Sequence, residues 1–159
     1  MAQKSVDTEN FFSVLNRTSV FITYVPLRTE VPFQDFVTIS KGATIHEIPP
    51  RAALDPFQEA EKATRVTGGG NTCVFMPGRA FDTFGTRFGQ GGGWYDRFLS
   101  NIPSTWTRVG FCFDTQFSKE PLVRQSWDQA MDFVCVVDRD KGTADIHETK
   151  ARAMLDLKS

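Results

Sequence analysis

The sequence predicts an α/β protein in which a mostly parallel sheet lies between helices on both faces, an α/β/α sandwich of three layers. Short apolar, β-branched runs alternate along the chain with stretches of helical periodicity, which is the pattern of strand–helix–strand units. The run Thr72-Cys73-Val74-Phe75-Met76 is apolar throughout, as a buried central strand is. The 159 residues suit one domain with a respectable core, without an internal repeat or a linker long enough to divide it.

Taken in order, residues 1–10 are polar and are expected to fray. Phe11, Phe12, Val14 and Leu15 predict a short helix ending near Arg17, and 19–25 is the first strand, closed by Pro26. The spacing of Phe33, Phe36, Val37 and Ile39 predicts a helix with Gly42 just past its end. Residues 44–48 form a short strand stopped by Pro49-Pro50, and 51–67, with alanines among charges, are partly helical. Gly68-Gly69-Gly70 leads into the central strand. Trp94, Tyr95, Phe98, Leu99 and Ile102 fall on one side of a 3.6-residue repeat, a helix packing on that strand. Strands follow at 107–113 and 133–137. Lys141-Gly142 turns the second of these into a pairing with 143–146, and 151–157 closes the chain as a helix.

The formal net charge of −1 gives no global pull toward nucleic acid or an anionic membrane, so any anion site must be local. No apolar run approaches the length of a membrane span, and residues 1–19 lack the apolar core of a signal peptide. Cys73, Cys112 and Cys135 make an odd count, each inside a predicted strand and without zinc spacing. They are expected as buried, reduced thiols of a cytoplasmic protein. A monomer or small homo-oligomer is expected.

Between the central strand and the helix at Trp94 lies a long loop ending Gly89-Gln90-Gly91-Gly92-Gly93. Four glycines in five residues lose roughly 1 kcal/mol or more each in conformational freedom on ordering, more than a plain turn needs. Strand, glycine loop and helix together bring backbone N–H groups and a helix end toward one anionic point. Phosphate binding and a flexible structural loop are equally compatible with the glycines alone. No Gly-Lys-Ser/Thr ends the loop, and Trp94 stands where a dinucleotide fingerprint needs glycine, so neither common nucleotide motif applies. The flanks favour phosphate: Arg87 can fork onto it, Asp96 can hold a hard cation, and Tyr95 can donate from the rim.

The stretch Met76-Pro77-Gly78, Phe81-Asp82, Gly85, Arg87-Phe88-Gly89 and Gly91-Gly92-Gly93 through Tyr95-Asp96-Arg97-Phe98-Leu99 resembles the signature of 5-formyltetrahydrofolate cyclo-ligases. Arg108 through Asp114 resembles the strand that follows in that family. Residues 127–134 resemble its closing segment, with Trp127 where histidine is usual, and 21–31 resemble its first strand and glutamate-bearing loop. The likeness runs from about Val20 to Val137.

The resemblance implies a three-layer fold of the NagB/RpiA-like kind and an ATP- and magnesium-dependent ring closure. The reduced folate 5-formyltetrahydrofolate would become 5,10-methenyltetrahydrofolate, with release of ADP and phosphate. It implies that Arg87, Tyr95 and Asp96 are catalytic and that Asp96 holds the metal. Gly89, Gln90, Gly91, Gly92, Gly93, Trp94 and Tyr95 would bind the nucleotide, and Glu30, Met76, Pro77 and Gly78 the folate. Asp128 takes the family's aspartate position.

Several of these residues also have a purely structural reading. Asp82 can cap the turn before Gly85, and Glu30 alone would be a solvated carboxylate. Asp132 can simply open a strand, His46 and His147 are structural or solvent-facing, and Phe84, Phe88 and Trp94 are wall and core. The family's basic N-terminal helix, whose Lys and Arg reach the ATP phosphates, has no counterpart before the first strand. Lys4 is followed four residues later by Thr8. Arg17, Arg79, Arg97 and Arg124 are candidates to replace that pair, Arg79 first. Two readings remain open: an active, short cyclo-ligase, or a relative that binds folate or nucleotide as a module. An unrelated phosphosugar or CoA-binding protein would require the long signature to be coincidence.

Overall fold

The computed structural model of the chain describes residues 5–50, 54–89, 93–124 and 128–158. The elements run α1 (Val6–Arg17), β1 (Val20–Tyr24), β2 (Thr44–Ile48), α2 (Pro56–Thr67), β3 (Thr72–Pro77), β4 (Ala80–Asp82) and β5 (Arg87–Phe88). They continue with α3 (Trp94–Ser100), β6 (Thr107–Phe113), β7 (Phe117–Ser118), β8 (Phe133–Val137), β9 (Ala144–Glu148) and α4 (Lys150–Lys158).

Six strands form the central sheet in the order β2-β1-β3-β6-β8-β9. All neighbours are parallel except β9, which returns antiparallel to β8 with Val137 opposite Ala144. β1, β3 and β8 are buried along their whole length, which is why they read in the sequence as unbroken apolar runs. One face packs Val74, Met76, Val134 and Val136 against Ala60 and Ala63 of α2 and Phe98 and Leu99 of α3. The other packs Phe21, Phe75, Val109 and Phe133 against Phe11, Val14 and Leu15 of α1 and the segment carrying Val31, Phe33 and Val37. The strand order reverses between β1 and β3, so connections on the two sides of that point cover opposite faces.

Three expectations change. The N-terminal segment does not fray from Ser5 onward: the Ser5 hydroxyl accepts the Thr8 N–H, Asp7 and Glu9 sit in the first turn, and α1 starts at Val6. The spacing of Phe33, Phe36, Val37 and Ile39 makes only a single 3-10 turn, Phe33–Asp35. Tertiary packing decides this segment. Phe33 stands edge-on to Phe75 at 5.4 Å and lies 5.1 Å from Tyr24, whose hydroxyl donates to the Val31 carbonyl. Phe88, expected as wall or core, is 45% exposed.

A second, three-stranded sheet in the order β5-β4-β7 sits beside the carboxyl ends of β3 and β6. Strands of two or three residues carry no alternation that a sequence reading could detect. Phe81 of β4 anchors this sheet to the main one, its ring fully buried and occupying the space that a Cβ at Gly78 or Gly110 would need. The three cysteines are free and buried. Burial pushes the Cys73 thiol up to about 11 and Cys135 up to about 12, so neither is a thiolate at neutral pH.

A methyl group at Gly110 would overlap the Phe81 ring. Gly110→Ala is therefore expected to cost about 1–3 kcal/mol through overpacking. Urea unfolding followed by tryptophan fluorescence checks this, and an unchanged midpoint would mean that Phe81 is free to move aside.

Candidate active site

Parallel strands deliver their loops to one end, and ligands in open α/β sheets gather at the carboxyl ends where the strand order reverses. A cleft of about 570 Å³ lies there. Val25, Leu27, Thr29 and Glu30 reach it from beyond β1, and Ile48, Pro49 and Pro50 from the end of β2. Gly78 and Arg79 follow β3, and Arg87, Tyr95 and Gln116 complete the wall.

Asp82 fixes the turn that delivers Arg87. Its side chain is fully buried, and Oδ1 accepts the N–H groups of Phe84, Gly85 and Thr86 at 3.0, 3.0 and 2.8 Å. Oδ2 accepts the Leu122 N–H at 2.8 Å, tying a distant segment to the same carboxylate. The structural reading of Asp82 therefore holds.

Arg87 is 6% exposed, and its Nε–H donates to the Pro77 carbonyl at 2.6 Å. Its guanidinium lies over the Tyr95 ring, 4.7 Å from the centroid, and against Gly89, where a Cβ would stand 3.0 Å from Nη1. Glycine at position 89 is what lets the guanidinium lie along the loop's stem. Tyr95 lines the cleft and is 8% exposed. Trp94 turns the other way: its indole N–H donates to the Leu54 carbonyl, and its ring stacks on Phe98 at 5.6 Å. Gly93 closes the loop in the left-handed region at φ +66° and caps α3. That helix is only seven residues long, so it contributes little field of its own.

Asp96, one residue past Tyr95, carries a buried Oδ1 with no hydrogen-bond partner among the described residues. Burial holds its carboxyl above the usual carboxylate range; Arg87 pulls it back, the nearby charge of Asp128 pushes it further up, and a hydrogen bond from the Gln129 backbone lowers it again. A half-buried carboxylate with one unpartnered oxygen, near a second carboxylate, has the chemistry to take a divalent cation. Among the described residues no three His, Cys, Asp or Glu side chains converge.

The structure brings Glu30, Gly78, Arg87 and Tyr95 to one cleft. Glu30 has a local role as well, its Oε1 accepting the Leu27 N–H at 2.8 Å. Met76 is fully buried in the core facing α2 and α3, away from the cleft, and Pro77 contributes its carbonyl to Arg87. Gln90, Gly91 and Gly92 lie outside the described residues, as does Trp127. His46 pairs with Glu59 of α2 at 2.9 Å and His147 stacks on Phe117 at 4.6 Å, both away from the cleft. Asp132 accepts the Arg108 N–H and pairs with Arg152 at 3.4 Å, a structural role at the head of β8.

Sequence reasoning missed the wall formed by Leu27, Ile48, Pro49 and Pro50, and it missed Gln116, whose Oε1 accepts the Phe113 N–H. Their signal was positional, since each follows the carboxyl end of a predicted parallel strand.

Residues 19–137 match the 5-formyltetrahydrofolate cyclo-ligase family. The chain is 28% identical over 115 residues to a 5-formyltetrahydrofolate cyclo-ligase of Mycoplasma genitalium, covering 70% of this chain and 68% of that one. Its fold resembles the 5,10-methenyltetrahydrofolate synthetase of Mycoplasma pneumoniae, with a TM-score of 0.53, 18% identity and 80% of each chain covered. It also resembles the synthetase of Aquifex aeolicus, with a TM-score of 0.54, 18% identity, and 89% of this chain and 78% of that one covered.

Arg87→Lys keeps the charge but loses the Nε donor to Pro77 and the flat group over Tyr95. It is expected to lower stability by about 1–3 kcal/mol, because the buried carbonyl loses its partner. Urea denaturation measures the loss. Wild-type stability would show that lysine reaches the same acceptor.

Proposed function

The chain belongs to the 5-formyltetrahydrofolate cyclo-ligase family, and on that premise we propose that it converts 5-formyltetrahydrofolate to 5,10-methenyltetrahydrofolate using ATP and magnesium. The observation that carries this reading is the cleft itself. An arginine fixed over a tyrosine lines one cleft with a glutamate and several apolar residues at the carboxyl ends of four parallel strands, and the residue after that tyrosine is a half-buried aspartate with one unpartnered oxygen.

The formyl group on N5 is an amide and a poor electrophile. Its oxygen would take the γ-phosphoryl group of ATP, releasing ADP and leaving an imidoyl phosphate. N10 then attacks that carbon, phosphate departs with the former formyl oxygen, and the N10 proton is lost, which gives the methenyl bridge. No covalent enzyme intermediate is required, so the work is positioning and charge neutralisation. Arg87 and the amides of the loop Gly89–Gly93 would hold the phosphates, and Tyr95 would donate at the reacting face. Asp96, with Asp128 beside it, would hold magnesium, whose charge offsets that of the phosphates. Glu30 would orient the reduced pterin, while Leu27, Ile48, Pro49 and Pro50 give its ring an apolar wall. That wall would also limit the access of water to an activated intermediate that water would hydrolyse. No helix among the described residues is long and apolar enough to cross a membrane, and the three free thiols fit a cytoplasmic enzyme.

Mixing the protein with 5-formyltetrahydrofolate, ATP and magnesium should give the methenyl product, read by its absorbance, with one ADP per turnover. Binding of either ligand without turnover would identify a folate- or nucleotide-binding module instead.

Asp96→Asn separates the site's function from its stability. The raised pKa means that ionised Asp96 opposes folding at neutral pH, an effect that disappears in acid once the wild-type carboxyl is protonated. The variant should therefore melt at or above the wild-type temperature at pH 7 and lose that advantage near pH 3. Its nucleotide affinity should no longer depend on magnesium. Calorimetric titration with and without the ion, beside thermal scans at both pH values, checks both halves. Unchanged magnesium dependence would remove Asp96 from the metal site.

A further inference from the structure

We propose that Arg79 is the guanidinium that engages the terminal phosphates of the nucleotide. This inference rests on the reading of the cleft as a nucleotide and folate site. A nucleoside triphosphate bearing one magnesium ion still carries net negative charge, and the described wall of the cleft holds two cations, Arg79 and Arg87. They differ in kind. Arg87 is buried, bonded to a backbone carbonyl and laid over a tyrosine ring, so its position is set before any ligand arrives. Arg79 is exposed, and its side chain has no ion pair or hydrogen bond among the described residues. It is free to turn toward an incoming anion.

Backbone geometry ties it to the phosphate side of the cleft. The Arg79 N–H donates to the Phe88 carbonyl at 2.7 Å, and Ala80 stands opposite Phe88 across the β4–β5 ladder. Arg79 therefore sits across from the residue immediately before Gly89, at the stem of the glycine loop. The other arginines considered are engaged or placed elsewhere. Arg17 lines a separate polar cavity with Gly70, Asn71 and Thr107, at the amino ends of the strands. The Arg124 guanidinium lies over the Phe84 ring at 4.0 Å. Arg97 is on α3 and does not line the cleft.

A folate carboxylate offers the same oxyanion chemistry as a phosphate, so the test must separate the two. Arg79→Ala and Arg79→Lys are titrated calorimetrically with ATP plus magnesium, with AMP, and with 5-formyltetrahydrofolate. The side chain is exposed, so both variants should melt with the wild type. Arg79→Ala is expected to weaken ATP binding about tenfold or more, while AMP and folate affinities stay within about twofold. Arg79→Lys should recover part of the loss. Selective weakening of folate binding would overturn the assignment by moving Arg79 to the folate carboxylates. Unchanged ATP affinity in Arg79→Ala, beside a wild type that binds ATP and turns over, would overturn it and leave the cyclo-ligase reading intact. A wild type that neither binds ATP nor forms product would overturn both.

Discussion

The buried carboxylate of Asp82 is the constraint from which the functional end of this molecule is built. An ionised group taken out of water costs several kcal/mol unless its lone pairs are filled, and here four backbone N–H groups fill them. Three of those donors are consecutive, at 84–86, so the carboxylate dictates the path of the chain into Arg87. The fourth, at Leu122, pulls the segment after β7 against the same point. One residue earlier, Phe81 seats its ring against Gly78 and Gly110. Polar satisfaction and close packing thus act at adjacent positions to hold a sheet of very short strands that could not persist on its own pairing.

Much of this was legible in the sequence, because the central sheet follows rules that depend on composition. Strands buried on both faces read as nearly unbroken apolar runs, so β1, β3 and β8 were readable without a partner in view. What escaped detection depends on tertiary context. Phe33, Phe36, Val37 and Ile39 have helical spacing, yet they plug a face already crowded with Tyr24, Phe75 and Phe111, and the backbone bends to suit the rings. Met76 sits inside a signature stretch, but its side chain packs toward α2 and α3, Pro77 is buried in the strand, and it is Gly78, one residue past the end of β3, that lines the cleft. Membership of a motif identified the neighbourhood; the point at which the strand ends decided which residue reaches the cleft.

The cleft was legible by chemistry on one side and by topology on the other. Arg87, Tyr95 and Asp96 stand out as residue types around a glycine loop. Leu27, Ile48, Pro49 and Pro50 are ordinary residues and come to line the cleft only because parallel strands end together. A prolyl pair after a short strand reads as a stop signal, and so it is, but it stops the chain at the mouth of the site. No residue pattern announces that, whereas the reversal of strand order between β1 and β3 does.

The site divides into parts that are set before binding and parts that are not. Arg87 is held by Pro77, Tyr95 and Gly89, so little ordering cost remains when it meets an anion, which is the economy of preorganisation. Asp96 is held too, but in a state the fold itself disfavours, with a buried oxygen lacking a donor and a second carboxylate nearby. On the proposed reading, a cation bound there would relieve that unfavourable charge, and the strain would then count toward binding affinity. Arg79 and Glu30 are the adaptable members, one exposed and one only partly buried on its loop. Phosphoryl transfer moves negative charge from one group to another, and a site made wholly of fixed charges would favour one stage of that movement over the rest. In the proposed reaction, a fixed cation beside an exposed one would let the cleft keep its geometry while its electrostatics follow the transfer.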